Sequence, residues 1–222
     1  MKTILIDIDN TLLDFNLCSM ESIEKAAAYY GITLPRNYYP RFKQINDSLW
    51  KRIEEKTLDI EGLRAIRYNM IFKEWGIDFD GPTFEKMYFK GLTESAVPVA
   101  GAKELVKYLG TKYHLYAASN APKEQQDIRL GKAGMMDYIK GIFISEEIGA
   151  PKPSKAFFDG VFKLIGNPDP KDVVMIGDSL NADIIGAKEY GMETIWFNYE
   201  GKDCDSPADH TVLTLDEIKT IL

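Results

Sequence analysis

Residues 3–11 read TILIDIDNT, an apolar run that stops at Asp7 and sets a second acid, Asp9, two positions further on. A run this short, rich in β-branched residues and bounded by polar ones, reads as a strand buried on both faces. Two acids separated by one residue at a strand end point the same way. Their repulsion destabilises the site unless a cation or a proton compensates. The bland alternative, a capping Asp followed by a polar turn, weakens when the pattern recurs downstream. In VVMIGDSLNAD, Asp178 follows a second buried run and Asp183 comes five residues later, with Gly177 allowing close backbone approach. Two strand ends that each bear carboxylates point to a hard cation held by oxygen ligands, above all Mg²⁺.

Working outward, further apolar runs end abruptly: HLYAA before Ser119, IFI before Ser145 and TIWF before Asn198. Helical stretches alternate with them, over 102–109, 122–132, 155–165 and 182–190. Alternation of this kind predicts βαβ units and an α/β fold with an open, Rossmann-like parallel sheet. From Phe15 to Ser95 the rhythm breaks, and Leu, Ile, Tyr and Phe recur at helical spacing among charges. Four helices are expected there, over 19–30, 36–56, 60–75 and 82–92, punctuated by Gly31, Pro35, Gly76 and Gly81-Pro82. The expected organisation is a core of residues 1–14 plus 96–222 and a helical cap of residues 15–95 inserted after the first strand. Ligands bind at the carboxyl ends of the strands in such a sheet, so the insertion is placed to act as a lid.

Two more strand ends supply what a phosphate needs. Ser119-Asn120 precedes a helix, where a hydroxyl and backbone N–H groups can receive phosphate oxygens, although Ser or Asn as a plain helix cap fits equally well. Lys152 stands between Pro151 and Pro153, whose rings restrict the backbone that carries it. A lone lysine is ordinarily a solvated charge; its place in this ordered series argues otherwise.

The series DIDNT, SN, KP and GDSLNAD resembles the haloacid dehalogenase superfamily, whose members are mostly phosphatases. The resemblance implies that Asp7 is a nucleophile forming an aspartyl-phosphate and that Asp9 is the general acid and base. It implies that Ser119, Asn120 and Lys152 lie on the phosphate. Mg²⁺ would then be held by the Asp7 carboxylate, the Asp9 backbone carbonyl and Asp178, with Asp183 a direct ligand or a support behind it. More narrowly, DIDNTLLDF and residues 144–198 resemble the pyrimidine 5′-nucleotidase group, with a departure at Asn10, where that group commonly has Asp or Glu. The substrate expected is a nucleoside 5′-monophosphate or another small phosphorylated metabolite. Tyr29, Tyr30, Tyr38, Tyr39, Trp50 and Tyr68 can stack on a base, but aromatics at helical spacing more often form core.

The 222-residue chain is 45% hydrophobic and 27% charged, enough to bury a sizeable core and too apolar for disorder. Its 27 basic and 34 acidic residues leave a formal charge of −7, which disfavours a nucleic-acid polymer as partner. Cys18 and Cys204 are too few for a disulfide framework and lack zinc-site spacing. The amino terminus has neither a membrane span nor a signal-peptide core, so no membrane partner and a cytoplasmic location are expected. His114 and His210 read as structural. Among competing activities, a dehalogenase has no need for Asp9. A sugar-phosphate phosphatase or a phosphomutase uses the same acids. A noncatalytic module should have lost at least one of Asp7, Asp9, Lys152 and Asp178, and all are present.

Overall fold

The structure, a computed structural model, describes residues 2–222. It divides into two compact units: Met1–Phe15 with Ala96–Leu222, and Asn16–Ser95. Among the described residues, the first unit contains a six-stranded sheet whose paired strands all run parallel, built from β1 (Thr3–Ile6), β2 (His114–Ser119), β3 (Ile142–Ile144), β4 (Val173–Gly177), β5 (Glu193–Phe197) and β6 (His210–Val212). The order is β3-β2-β1-β4-β5-β6. Both faces of this sheet are covered, and the strand side chains divide between two cores by their period of two. Ile4, Ile6, Val174 and Ile176 join a cluster with Leu105, Leu109, Leu130 and Ile218. Leu5, Val173 and Met175 join Phe157, Phe158 and Val161 on the other side.

The helices of this unit are α5 (Ala102–Lys112), α6 (Lys123–Lys132), the short α7 (Ser145–Ile148), α8 (Lys155–Leu164), α9 (Gly186–Tyr190) and α10 (Leu215–Ile221). A π-helical turn over Leu180–Ile185 runs directly into α9. The last strand and α10 lie in a segment to which the sequence reading assigned no element. His210-Thr211-Val212 is a three-residue edge strand with its middle side chain in water, too short to display alternation.

The order of strands decides where a ligand can sit. From β1 the chain builds outward to β2 and β3 on one side, while β4, β5 and β6 extend the sheet on the other. The strand order therefore reverses at β1 and β4, and their carboxyl ends border the crevice that forms at such a switch point. Register keeps those ends level, with Ile6 beside both Ala117 and Ile176. Beyond β1, Asn10 takes a left-handed conformation at φ 61°, which Asn tolerates better than most residues. The two connections to the inserted unit are stitched together: Asp14 N donates to Val97 O at 2.8 Å and Val99 N to Leu12 O at 3.0 Å.

The inserted unit consists of α1 (Phe15–Tyr30), α2 (Tyr38–Glu54), α3 (Ile60–Trp75) and α4 (Gly81–Glu94). Asp59 and Asp80 cap α3 and α4 by accepting from Gly62 N and Thr83 N, and Gly76 ends α3 at φ 65°. Its interior is aromatic: Tyr68 is fully buried and lies 4.5 Å, centroid to centroid, from Phe84. Tyr29 faces solvent, and Tyr30, Tyr38, Tyr39 and Trp50 are half-buried. An ion pair is buried there too, with Arg67 Nε donating to Glu85 Oε2 at 3.0 Å and Nη1 to Asn46 Oδ1 at 2.9 Å. Among the described residues, no helix is long and apolar enough to cross a membrane.

Candidate active site

Beyond β1 the backbone N–H of Asp7 still donates to Ile176 O at 2.9 Å, so the first acid stays locked beside β4. Asp178 follows the last residue of β4. Asp183 is swung back to the same place by the π-helical turn, where its Oδ2 accepts from Ser179 N at 3.1 Å. Carboxylate oxygens of Asp7, Asp178 and Asp183 all fall within 4.8 Å of one another. Gly177 makes this possible: a Cβ there would lie 2.2 Å from Asp183 Oδ2, inside contact distance.

Lys152, almost wholly buried, enters from the loop after α7. Its Nζ donates to Asp7 Oδ1 at 2.6 Å, Asp183 Oδ1 at 2.7 Å and Ala118 O at 2.8 Å. Three partners match the three protons of an ammonium group. Burial alone would lower the Lys152 pKa, but Asp183 and Asp7 hold it above its ordinary value. Burial pushes Asp7 up to about 7, with the charge of Asp183 adding to the rise and Lys152 opposing it. Asp178 is raised well above the usual carboxylate range, first by withdrawal from water and then by Asp7 and Asp183. Crowded oxygen donors whose charged forms repel are the environment that a hard divalent cation relieves, so the residues fit Mg²⁺. Thr11 Oγ1 donates to Asp178 Oδ1 at 3.3 Å.

Ser119 and Asn120 divide their work. Ser119 Oγ accepts from Ala121 N at 3.1 Å and from Gln126 Nε2 at 3.0 Å, which leaves its own proton to donate. The Asn120 side chain is turned toward Lys152: its Nδ2 donates to Lys152 O at 3.0 Å and its Oδ1 accepts from Lys152 N at 2.9 Å. The amide of Asn120 thus grips the backbone that carries Lys152, a role distinct from holding an anion. Trp196 in β5 acts similarly on the loop after β4, donating from Nε1 to Asp178 O at 2.9 Å.

Asp9 stands apart from the carboxylate cluster. Its Oδ2 accepts from Gln126 Nε2 at 2.6 Å and its Oδ1 from Arg129 Nη1 at 2.5 Å. Neither Gln126 nor Arg129 was legible as a site residue. The available signal was negative: the helix KEQQDIRLGK has no continuous apolar stripe, and Gln126 and Arg129 sit three apart on one face.

Comparison with known proteins follows the same lines. Residues 1–191 match the haloacid dehalogenase-like hydrolase family. The HAD-hydrolase YfnB of Bacillus subtilis is 32% identical over 201 residues, covering 90% of this chain and 86% of YfnB. The crystal structure of YfnB bound to magnesium superposes with a TM-score of 0.94 at 31% identity, over 99% of this chain and 97% of the other. Pyrimidine 5′-nucleotidase PynA of Streptococcus pneumoniae is 32% identical over 198 residues, 89% of this chain and 84% of PynA. Pyrimidine 5′-nucleotidase YjjG of Escherichia coli is 26% identical over 223 residues, 99% of this chain and 96% of YjjG.

Proposed function

The chain belongs to the haloacid dehalogenase-like hydrolases, and from that premise we propose that it is a Mg²⁺-dependent phosphomonoesterase acting on nucleoside 5′-monophosphates, pyrimidine nucleotides foremost. One observation carries the reaction class: three carboxylates and a buried lysine converge where β1 and β4 end, at the switch point of the sheet. The substrate rests on two relatives named as pyrimidine 5′-nucleotidases.

Asp7 is the nucleophile. A carboxylate oxygen of Asp7 forms a bond to phosphorus as the bond from phosphorus to the leaving oxygen breaks, and Asp9 gives that oxygen a proton. Water then attacks phosphorus and gives a proton to Asp9 as the bond between the Asp7 oxygen and phosphorus breaks, releasing Asp7 and inorganic phosphate. Lys152 keeps Asp7 aimed and neutralises charge on the phosphoryl oxygens, while the Ser119 hydroxyl donates to one of them. Asp7 and Asp178 side chains, with the Asp9 backbone carbonyl, would hold Mg²⁺. Asp183 has both oxygens engaged, by Lys152 and Ser179 N, which favours a supporting role behind the ligands. When bound, the cation supplies charge neutralisation at the transferring phosphoryl group.

A panel of phosphate monoesters, pairing uridine and thymidine 5′-monophosphates with sugar phosphates, tests this reading. Hydrolysis of the nucleotides should exceed that of the sugars. EDTA should abolish it, and Asp7→Asn should lower turnover by about 10⁴-fold or more, as removal of a catalytic nucleophile does. Near-native activity of Asp7→Asn would sink the covalent route, and a preference for sugar phosphates would sink the nucleotide assignment.

A further inference from the structure

The buried face of helix α6 carries polar side chains beside the apolar Leu130. Gln126 and Arg129 are both wholly buried, while Ile128 between them is 37% exposed. Burying a guanidinium destabilises a protein unless it is paired and hydrogen-bonded, so a buried Arg129 needs a reason beyond packing. The partner is Asp9. Arg129 Nη1 binds one carboxylate oxygen and Gln126 Nε2 binds the other. Arg129 Nη1 also donates to Gln126 Oε1 at 3.2 Å, which orients the amide. The same Gln126 nitrogen reaches Ser119 Oγ at 3.0 Å.

We propose that Gln126 and Arg129 are positioning residues that fix the side-chain orientation of Asp9 and tie it to Ser119. The inference rests on the proposed role of Asp9 as proton carrier and extends it to residues of α6. Asp9 leaves the chain two residues after Asp7 yet is held away from the carboxylate cluster, and these two donors are what holds it there. A proton carrier works only when aligned with the leaving oxygen, and misplacement by about 1 Å lowers rates by about 100-fold. Through Gln126, the same element that orients Asp9 also orients Ser119, so the proton carrier and a phosphate-side donor share one fixed frame.

The test is a double-mutant cycle read as kcat and KM on uridine 5′-monophosphate and p-nitrophenyl phosphate. Arg129→Met would leave Asp9 without its buried cation and endanger the fold. Gln126→Leu, which keeps size and leaves the ion pair, and Arg129→Lys, which keeps the charge, therefore carry the measurement, with melting curves for each. Gln126→Leu should lower kcat by about 10- to 100-fold with KM little changed, as loss of an orienting partner does. In an Asp9→Asn background the same substitution should lower kcat by clearly less than it does in the wild type, the remaining loss being the part that acts through Ser119, because coupled residues are not additive. Arg129→Lys should retain part of the activity that Gln126→Leu loses. Equal losses in both backgrounds, or no loss in either, would overturn the inference and leave the hydrolase reading standing. A wild-type protein without phosphomonoesterase activity, or an Asp9→Asn protein as active as wild type, would overturn the role of Asp9 and this inference with it.

Discussion

Asn120 binds the backbone of Lys152 in both directions, and that pair of hydrogen bonds is the reason a lysine in a loop can serve as a fixed cation. Lys152 N and O have the Asn120 amide as their side-chain partner, while the ammonium is divided among Asp7, Asp183 and Ala118 O. Asn120→Ala should leave two backbone groups without that amide, with a stability loss of about 1–3 kcal/mol. Activity should fall further than stability does, by about 10- to 100-fold, because the cation loses its anchor. Denaturant melts set against kcat check this, and unchanged kcat would show that the prolines flanking Lys152 suffice. Residue by residue, the acids were legible because a strand that ends on a carboxylate is a local pattern. The sequence offered Asn120 as a phosphate-side residue and gave no sign of its amide's contact with the Lys152 backbone, since that partner lies 32 positions away.

At the scale of elements, the turn after β4 does the delicate work. Leu180–Ile185 winds as a π-helix, wide enough to bring Asp183 back against Gly177. Gly177→Ala would force a methyl group onto Asp183 Oδ2, which Lys152 and Ser179 N hold in place. Overpacking of this kind is expected to destabilise by about 1–3 kcal/mol. Because Asp183 would be displaced, Mg²⁺ should bind about 10-fold more weakly, the size of effect that supporting partners have on metal sites. Titration followed by tryptophan fluorescence measures this, with Trp196 hydrogen-bonded to Asp178 O as the natural reporter. Unaltered magnesium affinity in a folded Gly177→Ala protein would contradict the support role of Asp183. The sequence marked a helix over 182–190 here; the structure instead winds a π-helical turn ahead of α9 that sets Asp183 against Gly177, a placement no helical periodicity encodes.

For the whole molecule, the core unit keeps three mutually repelling acids together at the carboxyl end of its sheet. Burial first, and then crowding, raises the pKa of Asp7 and Asp178 and works against folding whenever they ionise, and a cation that binds only the folded protein reverses it. Mg²⁺ at 100 times its dissociation constant should add about 2.7 kcal/mol. For a chain of this length that raises the melting temperature by roughly 2–4 °C per kcal/mol. Calorimetry with and without Mg²⁺ checks it, and an unchanged melting temperature would argue against a cation at these acids. Asp178→Ala should shrink the increment while raising the metal-free melting temperature, since it removes one of the repelling charges.

Local pattern alone determined the α/β class, the five buried strands that end in polar residues, the helical insertion and the acids at the strand ends. Each of these depends on neighbours within a few positions, where the period of two, the period of 3.6 and an abrupt polar stop are all visible. Tertiary structure alone decided what those acids touch. Gln126 and Arg129 reach Asp9 across 117 and 120 positions, and Trp196 reaches Asp178 from the neighbouring strand. The order β3-β2-β1-β4-β5-β6 brings such residues together, and strand order is set by burial of both sheet faces across the whole unit. A polar residue on a buried helix face looks like an error in the linear sequence; its meaning comes from the charged group that the folded sheet sets against it.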